Sequence, residues 1–268
     1  MREPRQLTAL VTGASSGIGE ALARELAARG HRLLLVSENE PELERVRREI
    51  AGSGPGEPRV LAADLTRPGE AERLYRRCRE LGQEVDLLVN CAGIFLNVEQ
   101  ELADPASAEQ LLALHVQTPT RLCLLFGRDM IDRKRGYILN VASISALFPD
   151  PSSLTYGPSK RYLLALSESL RLQWRGHGVR VSALLPGGVR TGFFARNGIY
   201  IPPLVADRLI SPERCARIAL RTLFRGRRRV TPGLTARLQV VLFKLLLTSP
   251  LYDFTRRLYA RLRAGAAR

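Results

Sequence analysis

The chain has 268 residues, 45% of them hydrophobic, and a formal net charge of +15. That length and apolar content suit one large α/β domain with an ordinary buried core. No apolar run approaches the ~20 residues that a bilayer-spanning helix needs, and His31, His115 and His177 are too scattered for a metal site. Cys78, Cys91, Cys123 and Cys215 form no close pair and read as reduced, buried thiols of a cytosolic protein. Met1 to Gln6 leads straight into a strand, so no signal peptide is expected. The charge is uneven. From Leu204 to Arg268 there are 15 Lys/Arg against 3 Asp/Glu, a balance of +12, which leaves +3 for the preceding 203 residues. A basic C-terminal part is either a solvated arginine-rich face or a surface for an anionic partner.

In chain order, Leu7 to Val11 reads as a strand, followed by a glycine turn and a helix over 17–29 that Gly30 closes. Arg32 to Val36 is the second strand and 41–50 the second helix. A loop at 52–56 precedes a third strand at 60–63 and a third helix at 70–81. Val85 to Val89 is the fourth strand, and one long helix is expected over 107–131. Two further strands, 137–141 and 179–184, flank a helix that carries Tyr156. Strands that are apolar throughout and alternate with helices predict a doubly wound parallel sheet, covered on both faces. Ligands of such a sheet bind beyond the carboxyl ends of the strands, where Gly13, Asn90, Ser143 and Pro186 all fall. The sequence divides into a body, 1–231, and a C-terminal helical extension, 232–268.

Two motifs carry chemistry. Thr12-Gly13-Ala14-Ser15-Ser16-Gly17-Ile18-Gly19 joins the first strand to the first helix. Its glycines let the backbone approach a pyrophosphate, and the helix N-terminus offers free N–H groups to the anion. Its spacing is neither the common dinucleotide fingerprint nor a phosphate loop ending in Gly-Lys-Ser/Thr. The second motif is Ser143 with Tyr156 and Lys160, the last two sharing one helix face. A phenol titrates near ~10. A lysine cation held close favours the phenolate and brings the group into working range for proton exchange with an alcohol or carbonyl oxygen.

Together these motifs resemble the short-chain dehydrogenase/reductase family. Asp64 after the third strand, Asn90-Cys91-Ala92-Gly93 at the fourth, Pro186-Gly187-Gly188-Val189-Arg190-Thr191, and the thirteen-residue step from Ser143 to Tyr156 agree with it. The resemblance covers about residues 6–231. It implies hydride transfer between a nicotinamide and a carbonyl or alcohol carbon. Tyr156 would be the acid–base, Lys160 would hold the nicotinamide ribose and stabilise the phenolate, and Ser143 would hydrogen-bond the substrate oxygen. The implied cofactor contacts are Gly13, Ser15, Ser16, Gly17, Ile18, Gly19, Ser37, Glu38, Asp64, Leu65, Asn90, Ala92, Gly93, Tyr156, Lys160, Pro186, Gly187, Val189 and Thr191.

The chain departs from the family at His115, where an asparagine usually anchors a water relay to the lysine. A histidine would keep that relay through its main chain or join it through the ring. At the end of the second strand, Ser37 and Glu38 stand where the family uses Asp for NAD or Arg for NADP. Glu38 would repel a 2′-phosphate, so NAD is the expected form of the NAD(P) cofactor. The pocket implied by the family, Ser143, Ile144, Leu147, Phe148, Phe193, Phe194, Ile199, Tyr200 and Ile201, is apolar and fits a small lipophilic ketone, aldehyde or alcohol. The segment 193–209 is expected to be a lid.

Beyond Pro232, apolar residues recur through Leu247. After Pro250, Leu251, Phe254, Leu258 and Leu262 oppose Arg256, Arg257, Arg261 and Arg263. This extension would cap the pocket, a subunit interface or an anionic membrane surface, which makes the expected location cytoplasmic or peripheral to a membrane. Nucleic acid is not an expected partner, since no aromatic–basic reading surface accompanies the charge. The family implies a homodimer or homotetramer pairing through the fourth and fifth helices. The rival readings are a dinucleotide sensor or scaffold without turnover, and a sugar-nucleotide epimerase, for which the chain lacks a long substrate domain.

Overall fold

Seven short strands pair in parallel in the order β3-β2-β1-β4-β5-β6-β7 in a computed structural model that describes residues 6–149, 152–197, 206 and 208–247. They are β1 (Thr8–Thr12), β2 (Arg32–Ser37), β3 (Arg59–Ala62), β4 (Leu87–Asn90), β5 (Gly136–Val141), β6 (Val179–Leu184) and β7 (Arg229–Val230). Every residue of β1 and β4 is buried, as expected of strands covered on both faces. In register, Leu10 lies between Leu34 and Leu88. Burying each such leucine contributes about 1.5–3 kcal/mol.

Helices cover both faces. On one side α1 (Gly17–Ala28) and α9 (Pro212–Phe224) pack Leu22, Leu26, Leu220 and Leu223 against the sheet. On the other, α3 (Glu70–Glu80) and α6 (Thr118–Asp132) supply Leu74, Leu122, Phe126 and Met130. Asn39 starts α2 (Glu40–Ile50) by accepting from the Glu42 N–H at 3.2 Å. Strand order reverses between β1 and β4. The chain therefore leaves these two neighbouring strands on opposite faces and opens a crevice at their carboxyl ends.

The long helix expected over 107–131 is found as an unbroken helical run made of α5 (Pro105–Leu112), a π-helical turn at Ala113–Gln117 and α6, with the separate α4 (Val98–Ala103) before it. Asp104 starts α5 by accepting from the Ala106 N–H, next to Pro105. The π turn has a physical cause in Pro119. It stands four residues after His115 and has no N–H to give to that carbonyl, so the ladder shifts.

Beyond β5 come a 3₁₀ turn at Ile144–Ala146, α7 (Tyr156–Trp174) and the short α8 (Phe193–Arg196). The last described helix, α10 (Leu234–Leu247), lies on the body. Ala236, Val240 and Phe243 pack on Ile144 and Phe148, and the Phe148 and Phe243 rings stack at 4.8 Å. The Arg-rich stretch after Pro250, the expected contacts Ile199, Tyr200 and Ile201, and most of the expected lid lie outside the described residues. All four cysteines are free, and Cys78, Cys123 and Cys215 are buried. Among the described residues no helix is long and apolar enough to cross a membrane.

Candidate active site

A cleft of about 1870 Å³ opens along the carboxyl ends of β1, β4 and β5 and runs to the face of α10. One end of it is backbone. Gly13 (φ +67) passes so close to the β4 exit that a Cβ there would stand 2.9 Å from the Ala92 Cα. A Cβ on Gly19 would meet the Gly13 carbonyl oxygen at 2.0 Å. Only glycine fits at either position, and the first turn of α1 presents its N–H groups to the space so created. A space of this kind suits a diphosphate. Thr12 fastens the two strands behind it. Its Oγ1 accepts from the Cys91 and Ala92 N–H groups at 3.0 and 3.1 Å.

At the other end the shape comes from side chains. Ser143 follows β5, only 7% exposed, and its Oγ accepts from the Ser145 N–H at 3.1 Å. Tyr156 opens α7, and Lys160 sits one turn on. The Lys160 ammonium lies 5.5 Å from the centre of the Tyr156 ring and donates to the Val141 carbonyl at 3.4 Å. Burial disfavours that charge and brings the Lys160 pKa down to about 8. Phe95 meets the Tyr156 ring edge-on at 5.2 Å, and Phe193 meets Phe95 at 6.3 Å. One face of the phenol is therefore walled by aromatic carbon.

His115 does not line this cleft; it lies beneath the cleft, 1% exposed. Its Nε2 accepts from the Ile94 N–H at 3.1 Å. A backbone N–H can only donate, so the proton of the neutral ring is on Nδ1. That Nδ1–H donates to the Ser159 Oγ at 3.0 Å, and Ser159 donates to the Tyr156 carbonyl at 2.8 Å. The ring also meets the Tyr156 ring edge-on at 5.6 Å. Burial, and then the Lys160 cation, hold its pKa well below the usual histidine value. Both ring nitrogens are thus occupied in bracing Ile94 against the first turn of α7.

The short chain dehydrogenase family matches residues 7–198 of the chain. The chain belongs to that family. It is 31% identical over 189 residues to a very-long-chain 3-oxoacyl-CoA reductase of Anas platyrhynchos, spanning 68% of this chain and 60% of that one. It is 32% identical to an uncharacterised short-chain type dehydrogenase/reductase of Sinorhizobium fredii, over 81% of this chain and 85% of that one. Among solved structures, a short-chain dehydrogenase from Sphingobium yanoikuyae in complex with NADPH superposes with a TM-score of 0.77 at 30% identity. That match covers 88% of this chain and 92% of the other. The chain therefore spans about three fifths of the vertebrate reductase and most of the two bacterial proteins.

In this member of the family the cleft is lined by Gly13, Ser15, Ser16, Gly17, Ile18, Gly19, Ser37, Glu38, Asp64 and Leu65 at the cradle end. Ala92, Gly93, Ser143, Ile144, Tyr156, Lys160, Pro186, Gly187, Val189, Thr191, Phe193 and Phe194 line the rest. Three expected contacts lie outside this lining: Asn90, Phe148, and Leu147, which packs against the Ile144–Phe148 cluster. The Asn90 amide donates into the core, to the Asn140 Oδ1 at 2.8 Å, and Asn140 continues to Ser167 on α7 at 2.9 Å. Phe148 stands behind the cleft as the platform for Phe243, because the apolar inner face of α10 covers it.

Three contributors were not foreseen from the sequence, Thr12, Phe95 and Ser159, whereas the α10 wall formed by Leu238, Leu242 and Leu245 is the pocket cap expected of the extension. Thr12 and Ser159 lie inside the two motifs themselves, where a buried hydroxyl was the available signal. Phe95 carries no local signal.

Proposed function

We propose that this protein is an NAD-dependent oxidoreductase acting on a carbonyl or alcohol group of a lipophilic substrate. The observation that carries this reading is convergence: Ser143, Tyr156 and Lys160 line the same cleft that the glycine cradle closes at its other end. When bound, the nicotinamide supplies or accepts the hydride. In reduction, the Tyr156 hydroxyl gives its proton to the substrate oxygen as charge develops there. The Lys160 ammonium stabilises the phenolate left behind, and Ser143 donates to the same substrate oxygen. Gly13 to Gly19 would hold the diphosphate, Ser37 and Glu38 the adenosine ribose, Asp64 and Leu65 the adenine. Ala92, Gly93, Lys160 and the Pro186–Thr191 segment would hold the nicotinamide half.

Charge at the ribose end favours NAD. The Ser15 and Ser37 hydroxyls pair at 2.9 Å, beside the carboxylate of Glu38. The nearby cation, Arg45, reaches the Ser15 carbonyl at 3.4 Å, but Glu20, Glu42 and Glu49 already engage it. Among the described residues lining the cleft, the cations are Lys160 and Arg208. Arg208 belongs near the nicotinamide end, through the Val189–Ile210 bridge. A 2′-phosphate would meet a carboxylate with no available partner.

The aromatic wall of Phe95, Phe193 and Phe194 and the exposed leucines of α10 favour an apolar substrate body. Leu124 on α6 and Leu172 on α7 are 54% and 76% exposed, which supports a homodimer or homotetramer paired through those helices. The basic residues past Pro250 favour peripheral contact with anionic lipid. A panel of lipophilic ketones and alcohols, followed by nicotinamide absorbance with both cofactors, tests the central claim. Turnover with NADH at a higher kcat/KM than with NADPH is expected. No turnover of any panel member would favour a dinucleotide sensor instead.

A further inference from the structure

Glu101 is a buried carboxylate outside the machinery described so far. It sits on α4 and is only 5% exposed. A buried charge persists only where hydrogen bonds replace its water. Here Oε1 accepts from the Ser153 hydroxyl at 3.1 Å, from the Thr155 N–H at 2.9 Å and from the Thr155 hydroxyl. Oε2 accepts from the Leu154 N–H at 2.6 Å. The Ser153 oxygen, having given its proton to Glu101, accepts from the Tyr156 N–H at 2.9 Å.

Three consecutive backbone donors, those of Leu154, Thr155 and Tyr156, are therefore gathered by one side chain, directly or through Ser153. Two of them, Thr155 at the N-cap and Tyr156 in the first turn, are N–H groups that a helix start leaves without partners, and Leu154 is the residue just before. α7 has no side-chain cap from its own N-cap residue, Thr155. Glu101 supplies the cap from another element and places a negative charge at the positive end of the helix. Burial alone would raise the Glu101 pKa; the bonds from Thr155, Leu154 and Ser153 outweigh it and hold the carboxyl below its ordinary value.

The location gives this cap a function. Tyr156 is the first residue of α7, so whatever fixes residues 153–155 fixes the phenol. α4 follows directly on the segment Ile94–Asn97, which lines the cleft and presents Phe95 to the Tyr156 ring. One crossover thus grips the start of α7 at two points, through Glu101 and through His115 with Ser159.

We propose that ionised Glu101 is the positioning residue of Tyr156, holding the first turn of α7 at the place where the phenol meets the substrate oxygen bound by Ser143. The inference rests on Tyr156 as the proton donor, so its test has an arm independent of turnover.

Glu101→Gln keeps the shape but turns an N–H₂ donor toward backbone donors. The expected result is a kcat lower by about tenfold, with substrate KM and cofactor Kd within about twofold of the parent. Amide exchange of the 152–158 peptide, followed by mass spectrometry, should accelerate in the same variant. Ser153→Ala should lower kcat by a smaller factor, and the double variant should fall short of the product of the two effects.

A parental kcat in Glu101→Gln, or unchanged exchange over 152–158, overturns the proposal. So does a parallel loss of cofactor binding and kcat, which would mark a residue that only holds the fold together. If Glu101→Gln does not fold, Thr155→Val removes a single hydroxyl from the carboxylate and is read in the same way, with about a threefold loss expected. Turnover surviving in Tyr156→Phe would defeat the assigned chemistry but leave the exchange arm able to judge the cap.

Discussion

The two ends of the cleft are made from different materials. At the β1–α1 end, the surface that would meet a ligand is main chain, brought close because Gly13 and Gly19 have no side chain to keep it away. At the β5–α7 end, the surface is side chain. Tyr156 is held by groups that do not line the cleft, Glu101, Ser153, His115 and Ser159, and Lys160 is held by burial against the Val141 carbonyl. A backbone site is specified locally and fails by steric collision. A side-chain site is specified through its supports and fails by loosening.

The largest effect expected from that contrast is at Tyr156. Tyr156→Phe removes the transferable proton and leaves the cradle whole, so kcat should fall by about 10²–10⁴-fold. Cofactor Kd by calorimetry should stay within a few-fold of the parent. Comparable losses in both quantities would mean that the two ends are not separable.

Gly19→Ala is the reciprocal experiment. Its Cβ would collide with the Gly13 carbonyl, and overpacking of this kind costs about 1–3 kcal/mol. The loss should appear as weaker cofactor binding and a lower melting temperature, with α7 exchange unchanged.

A third test uses Lys160, whose pKa burial brings to about 8. A base with a lowered pKa loses its proton early as pH rises, so the cation that supports the phenolate is present below pH 8 and disappears above it. The carbonyl-reduction kcat should therefore decline as pH climbs through about 8, approaching tenfold per unit. A flat profile from pH 7 to 10 would remove Lys160 from that role.

The smallest effect concerns His115, whose folded pKa lies well below the ordinary ~6.5. Below that ordinary value the unfolded chain binds a proton that the folded chain refuses. Stability is therefore lost as pH falls through about 6.5, by up to ~1.4 kcal/mol per unit. His115→Asn should show a shallower fall in melting temperature between pH 7 and 5. Equal slopes would show that the ring accepts a proton in place. If His115 is a brace alone, pH–rate profiles of parent and His115→Asn should coincide between pH 7 and 9.

The same contrast explains what was legible in the sequence. β6 carries Val179, Val181, Ala183 and Leu184 and follows a left-handed Gly178, so its limits could be read directly. The cradle was legible because glycine spacing is itself the geometry. The Ser143–Tyr156–Lys160 set was legible because two of its members share a helix face. The 107–131 region was legible as one helical run, but its apolar rhythm does not show the π turn at Ala113–Gln117, where Pro119 shifts the ladder at His115. Asn90 was placed at the correct strand end, but spacing cannot say that its amide turns toward Asn140. Glu101 lies in a short polar helix whose sequence resembles any solvated surface turn. Its importance exists only once residues 153–155 are folded against it.

One contact from α10 has a wider consequence. A Cβ on Gly187 would stand 2.7 Å from the Ala236 Cβ, so the C-terminal helix rests on the very loop expected to receive the nicotinamide half. Divergence along the outer face of α10, at Leu238, Leu242 or Leu245, is free to retune what enters the mouth of the cleft without disturbing the cradle. Residue 236 has no such freedom. Any side chain larger than alanine there would press on Gly187, so a lineage exploring new substrates through this helix must keep one small residue fixed while the others drift.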